Sequence, residues 1–210
     1  MHNEDEILLP AAYLGPISYY GFLVNCQVCI EACGNYTKQT YANRCRILTA
    51  GGILNLIIPV QKTIGKQLIR DVRIDYHTDW QTLHWRALEA AYNTSPFFEY
   101  FRDDIHPFYE RRYEFLLDFD LNLQNLVLNW LGYETSNICI SERYIKTAKN
   151  PENDLREWLH PKKKCVLLHN NLKTPYQQVF SDKYGFVADL SIADMLCNLG
   201  REARLFLNIN

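Results

Sequence analysis

No apolar run in the 210 residues approaches the roughly 18 needed to cross a membrane as a helix. A secretory opening is missing too, since Met1-His2-Asn3-Glu4-Asp5-Glu6 is acidic and polar rather than basic and then apolar. A cytoplasmic location is therefore expected. Charge of one sign is scarce: 22 Lys and Arg stand against 24 Asp and Glu, a formal net charge of −2. That balance supplies no broad basic field, so nucleic acid is not expected as a partner. Several catalytic signatures are absent: Gly-x-x-x-x-Gly-Lys-Ser/Thr, Gly-x-Gly-x-x-Gly, Gly-x-Ser-x-Gly and His-Glu-x-x-His. P-loop kinases, dinucleotide oxidoreductases, α/β-hydrolases and zincins thereby lose their sequence support. A Cys–His thiol enzyme keeps its place, because those partners meet only in space.

The seven cysteines, an odd number, read as reduced thiols rather than as a disulfide framework. Cys26-x-x-Cys29-x-x-x-Cys33 has metal-like spacing but no Gly or Pro between its first two members to turn the thiolates together. Small buried hydrophobes are the better reading. Neither a metal nor a cofactor is implied.

What is present is a core. With 48% hydrophobic and 13% aromatic residues, disorder is excluded and one domain over residues 1–210 is expected. The patterns predict an α/β (or α+β) fold, a mixed sheet with a helical insertion over about 78–131. Ile7-Leu8-Leu9, a helix from Pro16 carrying Ile17, Tyr20, Leu23 and Val24, and a strand over Gln27 to Glu31 give a compact βαβ-like opening. Arg44 to Leu48 and Ile53 to Val60 flank the hairpin pair Gly51-Gly52. Leu68 to Asp75 alternates as a strand would, with Val72 and Ile74 on its buried side.

Helices follow. Thr78 and Gln81 have capping-box spacing ahead of a stripe from Trp80 through His84 and Leu88 to Tyr92. Ser95-Pro96 opens the next helix, and Leu116 to Trp130 forms a long one ending near Gly132. Short strands are expected at Ile138 to Ile140 and Cys165 to Leu168. Ser191 is expected to cap a last helix, with Asp194 as a weak box partner.

These pieces, in order, resemble the WbqC-like protein family. The likeness rests on Leu9-Pro10-Ala11-Ala12-Tyr13-Leu14-Gly15-Pro16 with Tyr19-Tyr20, on Asn43-Arg44-Cys45-Arg46-Ile47, and on Ile57-Ile58-Pro59-Val60. It continues through Val72-Arg73-Ile74-Asp75, Trp80, His84-Trp85, Tyr92 and Ser95-Pro96-Phe97-Phe98, then Tyr176-Gln177 with Phe180, and Leu190 to Gly200. Leu9 stands where many relatives have Gln, Cys33 or one of its neighbours lies where they have Asp, and Tyr144 to Lys164 diverges. The resemblance implies work in bacterial surface-polysaccharide assembly, such as transfer of an acyl or aminoacyl group onto an activated amino sugar. A small-molecule or nucleotide-sugar substrate would be the partner, and a homo-oligomer is allowed.

His84, on the apolar stripe of its helix, is the expected catalytic base, because burial among aromatics keeps an imidazole neutral. A core histidine satisfied by a carbonyl would look the same. Asn43-Arg44 precedes a strand, where a guanidinium can take phosphate or carboxylate in two parallel bonds. A salt bridge to Asp71 or Asp75 is the plainer use of Arg44. Asp75 can orient an imidazole or simply end its strand. Tyr13, in a loop after the first strand, and Tyr176 with Gln177 are expected to line the pocket; capping backbone turns is the commoner use of such groups. Lys62 to Lys66 is expected as a mobile basic loop at the pocket mouth. The rival reading is a non-catalytic binding or assembly protein, favoured if Arg44, His84 and Tyr176 are scattered and disfavoured if they share a cavity.

Overall fold

The structure, a computed structural model, describes residues 6–62, 64–163 and 174–208. It opens with β1 (Ile7–Pro10), α1 (Ile17–Asn25) and β2 (Val28–Glu31). Pro16, extended at the N-cap of α1, cannot donate, so the helix starts where its first amide is not needed. The nine-residue helix is just long enough to return the chain, and β1 and β2 pair in parallel from Ile7 with Val28 to Pro10 with Glu31. Much later β5 (Ile138–Ile140) joins the other side of β2, also parallel, giving the order β1-β2-β5. β2 is buried at every position, as its run of Val28, Cys29 and Ile30 suits a central strand covered on both faces. All three carboxyl ends therefore lie along one edge of the sheet.

β3 (Arg44–Thr49) and β4 (Gly52–Ile57) form a separate antiparallel hairpin. Gly52, at φ +103°, takes the left-handed backbone that its turn requires. Parallel and antiparallel pairing thus coexist in an α/β fold. The helical insertion holds α2 (Trp80–Tyr92), α3 (Phe98–Ile105) and α4 (Leu116–Leu131), with α4 ended by Gly132 at φ +75°. After it come α5 (Ser181–Tyr184), α6 (Ile192–Leu199) and α7 (Ala203–Leu207). Ser191 caps α6 by accepting from Ala193 N, and its hydroxyl donates to Leu14 O, tying α6 to the loop after β1. No helix among the described residues is long and apolar enough to cross a membrane.

Local expectations fail at four places. Leu68 to Asp75 is not a strand: Ile69–Asp71 is a 3-10 turn whose start bonds to Gly34 O and Ala32 O. Beyond it only single bridges occur, Ile74 to Val60 and Arg73 to Phe115, although Val72 and Ile74 are buried as the alternation predicts. Asp79, not Thr78, caps α2 by accepting from Thr82 N, and Gln81 instead donates to Phe108 O and Arg111 O. Pro96 stands two residues ahead of α3, whose N-cap is Phe97. Asp194 is no box partner either, since Tyr176 Oη and Gln178 Nε2 both donate to it. The strand expected over Cys165 to Leu168 lies outside the described residues.

Candidate functional site

The edge formed by the carboxyl ends of β1, β2 and β5 opens into a cleft of about 390 Å³. Substrates of parallel α/β sheets gather at such edges, because the loops leaving the strands diverge there. Glu31, the last residue of the central strand, is 5% exposed and anchors the floor. Its Oε1 accepts from Cys33 N and from the Ser141 hydroxyl, at 2.9 and 2.7 Å. Its Oε2 accepts from Ile145 N at 2.9 Å and Arg156 Nη1 at 3.3 Å. Gly34 belongs to the same floor: a Cβ there would stand 3.1 Å from Glu31 Cγ.

Arg156 uses its whole fork. Nε and Nη2 reach Asp154 at 2.8 and 2.6 Å, Nη1 also reaches Ile145 O, and Nη2 also reaches Lys146 O. That grip holds the Asp154 carboxyl below its usual range. Glu31 and Arg156 are thereby saturated, and they build the cleft by tying the chain after β5 to the end of β2.

The groups left to meet a ligand are on the walls. Tyr36, Asn35 and Thr37 come from the loop after β2, and His160 from the chain that follows Arg156. Burial raises the Tyr36 hydroxyl, partly offset by the Arg44 guanidinium nearby. Burial lowers His160, helped by Lys163, Lys162 and, more weakly, Arg44. His160 Nδ1 accepts from Lys162 N at 3.1 Å, so the neutral ring carries its proton on Nε2. Arg44 is half-buried, its Nε has no partner, and it forms no ion pair among the described residues.

Residues 12–160 match the WbqC-like protein family. The chain belongs to that family. The uncharacterized protein Rv1507c of Mycobacterium tuberculosis (strain ATCC 25618 / H37Rv) is 29% identical over 196 residues, spanning 82% of this chain and 83% of its own. No solved structure matches. The stretch shared with the WbqC-like family holds the cleft from Glu31 to His160 and ends at that histidine.

Of the residues singled out from the sequence, Tyr13 and His84 meet each other in the core of this WbqC-like chain, and none of the named residues lines the cleft. His84 is 5% exposed in the helical core, where Nδ1 meets the Tyr13 hydroxyl at 3.0 Å and Tyr13 in turn meets the Tyr109 hydroxyl at 2.8 Å. Burial depresses His84 to about 4, so the ring is neutral. Tyr176 is buried against Asp194, and Gln177 is exposed with its amide on Ser181 Oγ at 2.7 Å. Asn43 is buried and donates to Ile58 O. Asp75 accepts from His77, and Asp71 faces Arg70, so neither pairs with Arg44. Lys62 and Lys66 are exposed and do not line the cleft; Thr63 between them lies outside the described residues. Among the described residues, neither His84 nor Tyr176 lines the cleft that Arg44 stands beside. Sequence reasoning missed Glu31, Tyr36, Arg156 and His160. The one local signal was a carboxylate ending an otherwise apolar buried strand.

Proposed function

We propose that this WbqC-like protein binds an anionic activated sugar, of the nucleotide-sugar class, in the cleft beyond β1, β2 and β5, and so serves surface-polysaccharide assembly. Arg44 carries the reading: it is a guanidinium beside the cleft, within electrostatic reach of Tyr36 and His160, with no carboxylate partner among the described residues. An unpaired cation flanked by hydroxyl and amide groups suits a phosphate or carboxylate on a polyhydroxylated ligand. The separation of Arg44, His84 and Tyr176 favours this binding reading over the catalytic trio.

His160 favours a second reading, in which the same cleft transfers an acyl or aminoacyl group to that sugar. A cleft histidine held neutral can accept a proton from an attacking amine or hydroxyl. His84, sealed in the core, would need an opening of the aromatic cluster to do so. A thermal-shift screen of nucleotide sugars tests the binding reading. A ligand at one hundred times its Kd adds about 2.7 kcal/mol, roughly 5–11 °C for a chain of this size. The shift should vanish in Arg44→Met and persist in His84→Gln. An unchanged shift in Arg44→Met defeats the assignment. Product formation from sugar and acyl donor, lost in His160→Gln with the thermal shift retained, would establish transfer.

A further inference from the structure

One face of the parallel sheet, away from the cleft residues left for a ligand, gathers a second set of reactive groups. Cys29 of β2 and Cys139 of β5 are directly paired neighbours, and Leu8 of β1 completes their row. Because side chains alternate faces along a strand, Glu6, two residues before Leu8, returns to the same side. The Glu6 carboxylate and both sulfurs lie within 4.8 Å of one another. The Cys139 thiol donates to Glu6 Oε1 at 3.5 Å.

Zinc–sulfur bonds of about 2.3 Å at a tetrahedral angle put two sulfurs roughly 3.8 Å apart, so these atoms need only a small contraction to share an ion. Two thiolates and a carboxylate converging in this way offer a cation three ligands of negative charge. Access exists as well: Cys29 is buried, but Cys139 is exposed and, with Glu6, borders an open hollow of about 620 Å³.

We propose that Glu6, Cys29 and Cys139 form a site for a thiophilic divalent cation of the zinc class, with its fourth position facing this hollow. Two sulfurs and one oxygen suit zinc better than the oxygen-seeking magnesium or calcium. The site shares only Cys29 with the local pattern Cys26-x-x-Cys29-x-x-x-Cys33, which the sequence reading took as buried hydrophobes. The Cys33 thiol turns to Ser141 O and receives Arg70 Nη1.

The test is titration of cobalt(II) into the reduced, metal-stripped full chain, followed by displacement with zinc. One equivalent should bind with a near-ultraviolet thiolate-to-cobalt absorption and be released by zinc. Cys139→Ser should abolish the absorption, Glu6→Gln should weaken affinity about 10-fold or more, and Cys26→Ser should change neither. Cys139 is exposed, so an unaltered thermal melt of metal-free Cys139→Ser will show that its loss is local. No absorption in the wild type, survival of it in Cys139→Ser, equal loss in Cys26→Ser, or unchanged affinity in Glu6→Gln overturns the site.

Discussion

The cleft and the helical core each hold ionisable groups away from water, and they do so in opposite ways. At the cleft floor, Glu31 and Asp154 both meet the guanidinium of Arg156, so each of these groups faces one of opposite sign. In the core, His84 among Tyr13, Trp80 and Tyr109 is kept neutral, and Asp120 is buried with both oxygens unpartnered. Burial pushes the Asp120 carboxyl well above the usual carboxylate range. The lesson is that burial alone does not mark a site. What separates the regions is whether charge is matched, and only the matched one opens to solvent.

Breaking the matched region should cost most. Glu31→Ala leaves the Ser141, Cys33 and Ile145 donors without their acceptor, while Arg156 keeps Asp154. Each buried donor left unsatisfied costs about 1–3 kcal/mol, so the three together make this the largest loss. Urea denaturation should record that loss, and Glu31→Gln, which keeps acceptors, should lose less. A loss below 1 kcal/mol for Glu31→Ala would mean that the network is ornamental.

The core should answer to acid instead. His84 is lowered to about 4 in the folded chain, against about 6.5 when unfolded. The unfolded chain therefore binds more protons below pH 6.5. The stability held by neutral His84 is complete above that value and is lost as pH falls towards 4, by roughly 3 kcal/mol in all. Asp120 works the other way, since its raised folded value makes stability fall as pH rises past the unfolded carboxylate value. The wild-type curve sums both slopes. Denaturation from pH 7 to 4 should show His84→Gln gaining on the wild type as pH drops, whereas Asp120→Asn should lose ground to it over the same range. Parallel curves would show that neither group is held neutral.

A smaller effect sharpens the boundary between the two regions, at the start of α2. Asp79→Ala removes the acceptor for Thr82 N and should cost about 1 kcal/mol. Thr78→Ala should cost less than half of that. The reverse order would restore the cap that sequence spacing suggests.

Much of the fold was legible because its signals are local. Pro16, Gly52, Gly132 and Ser191 each punctuate an element through their own backbone chemistry, and the stripe is buried at Trp80, His84, Leu88, Ala91 and Tyr92, although Leu83, which shares its spacing, is exposed. Leu68 to Asp75 misled for a related reason. Alternation correctly reported that Val72 and Ile74 are buried, but pairing depends on which strands are nearby, and here they give only single bridges. The cleft was hardly legible. Glu31 meets Arg156 across 125 positions, and no local pattern carries that distance. The histidine that sequence chose, His84, sits on a conspicuous helical stripe, and that conspicuousness came from packing. His160 has no stripe to announce it.

The order of strands along the chain also sets a clock. Growing at about 5–20 residues per second, a nascent chain waits roughly 6–25 s between making Glu31 and making Arg156, 125 residues later. Through that interval the end of β2 carries a carboxylate without its cation, and the neighbour that β5 will supply has not been made for most of it. The contact between Glu31 and Arg156 is therefore among the last that the growing chain is able to make, and the floor of the cleft is completed late.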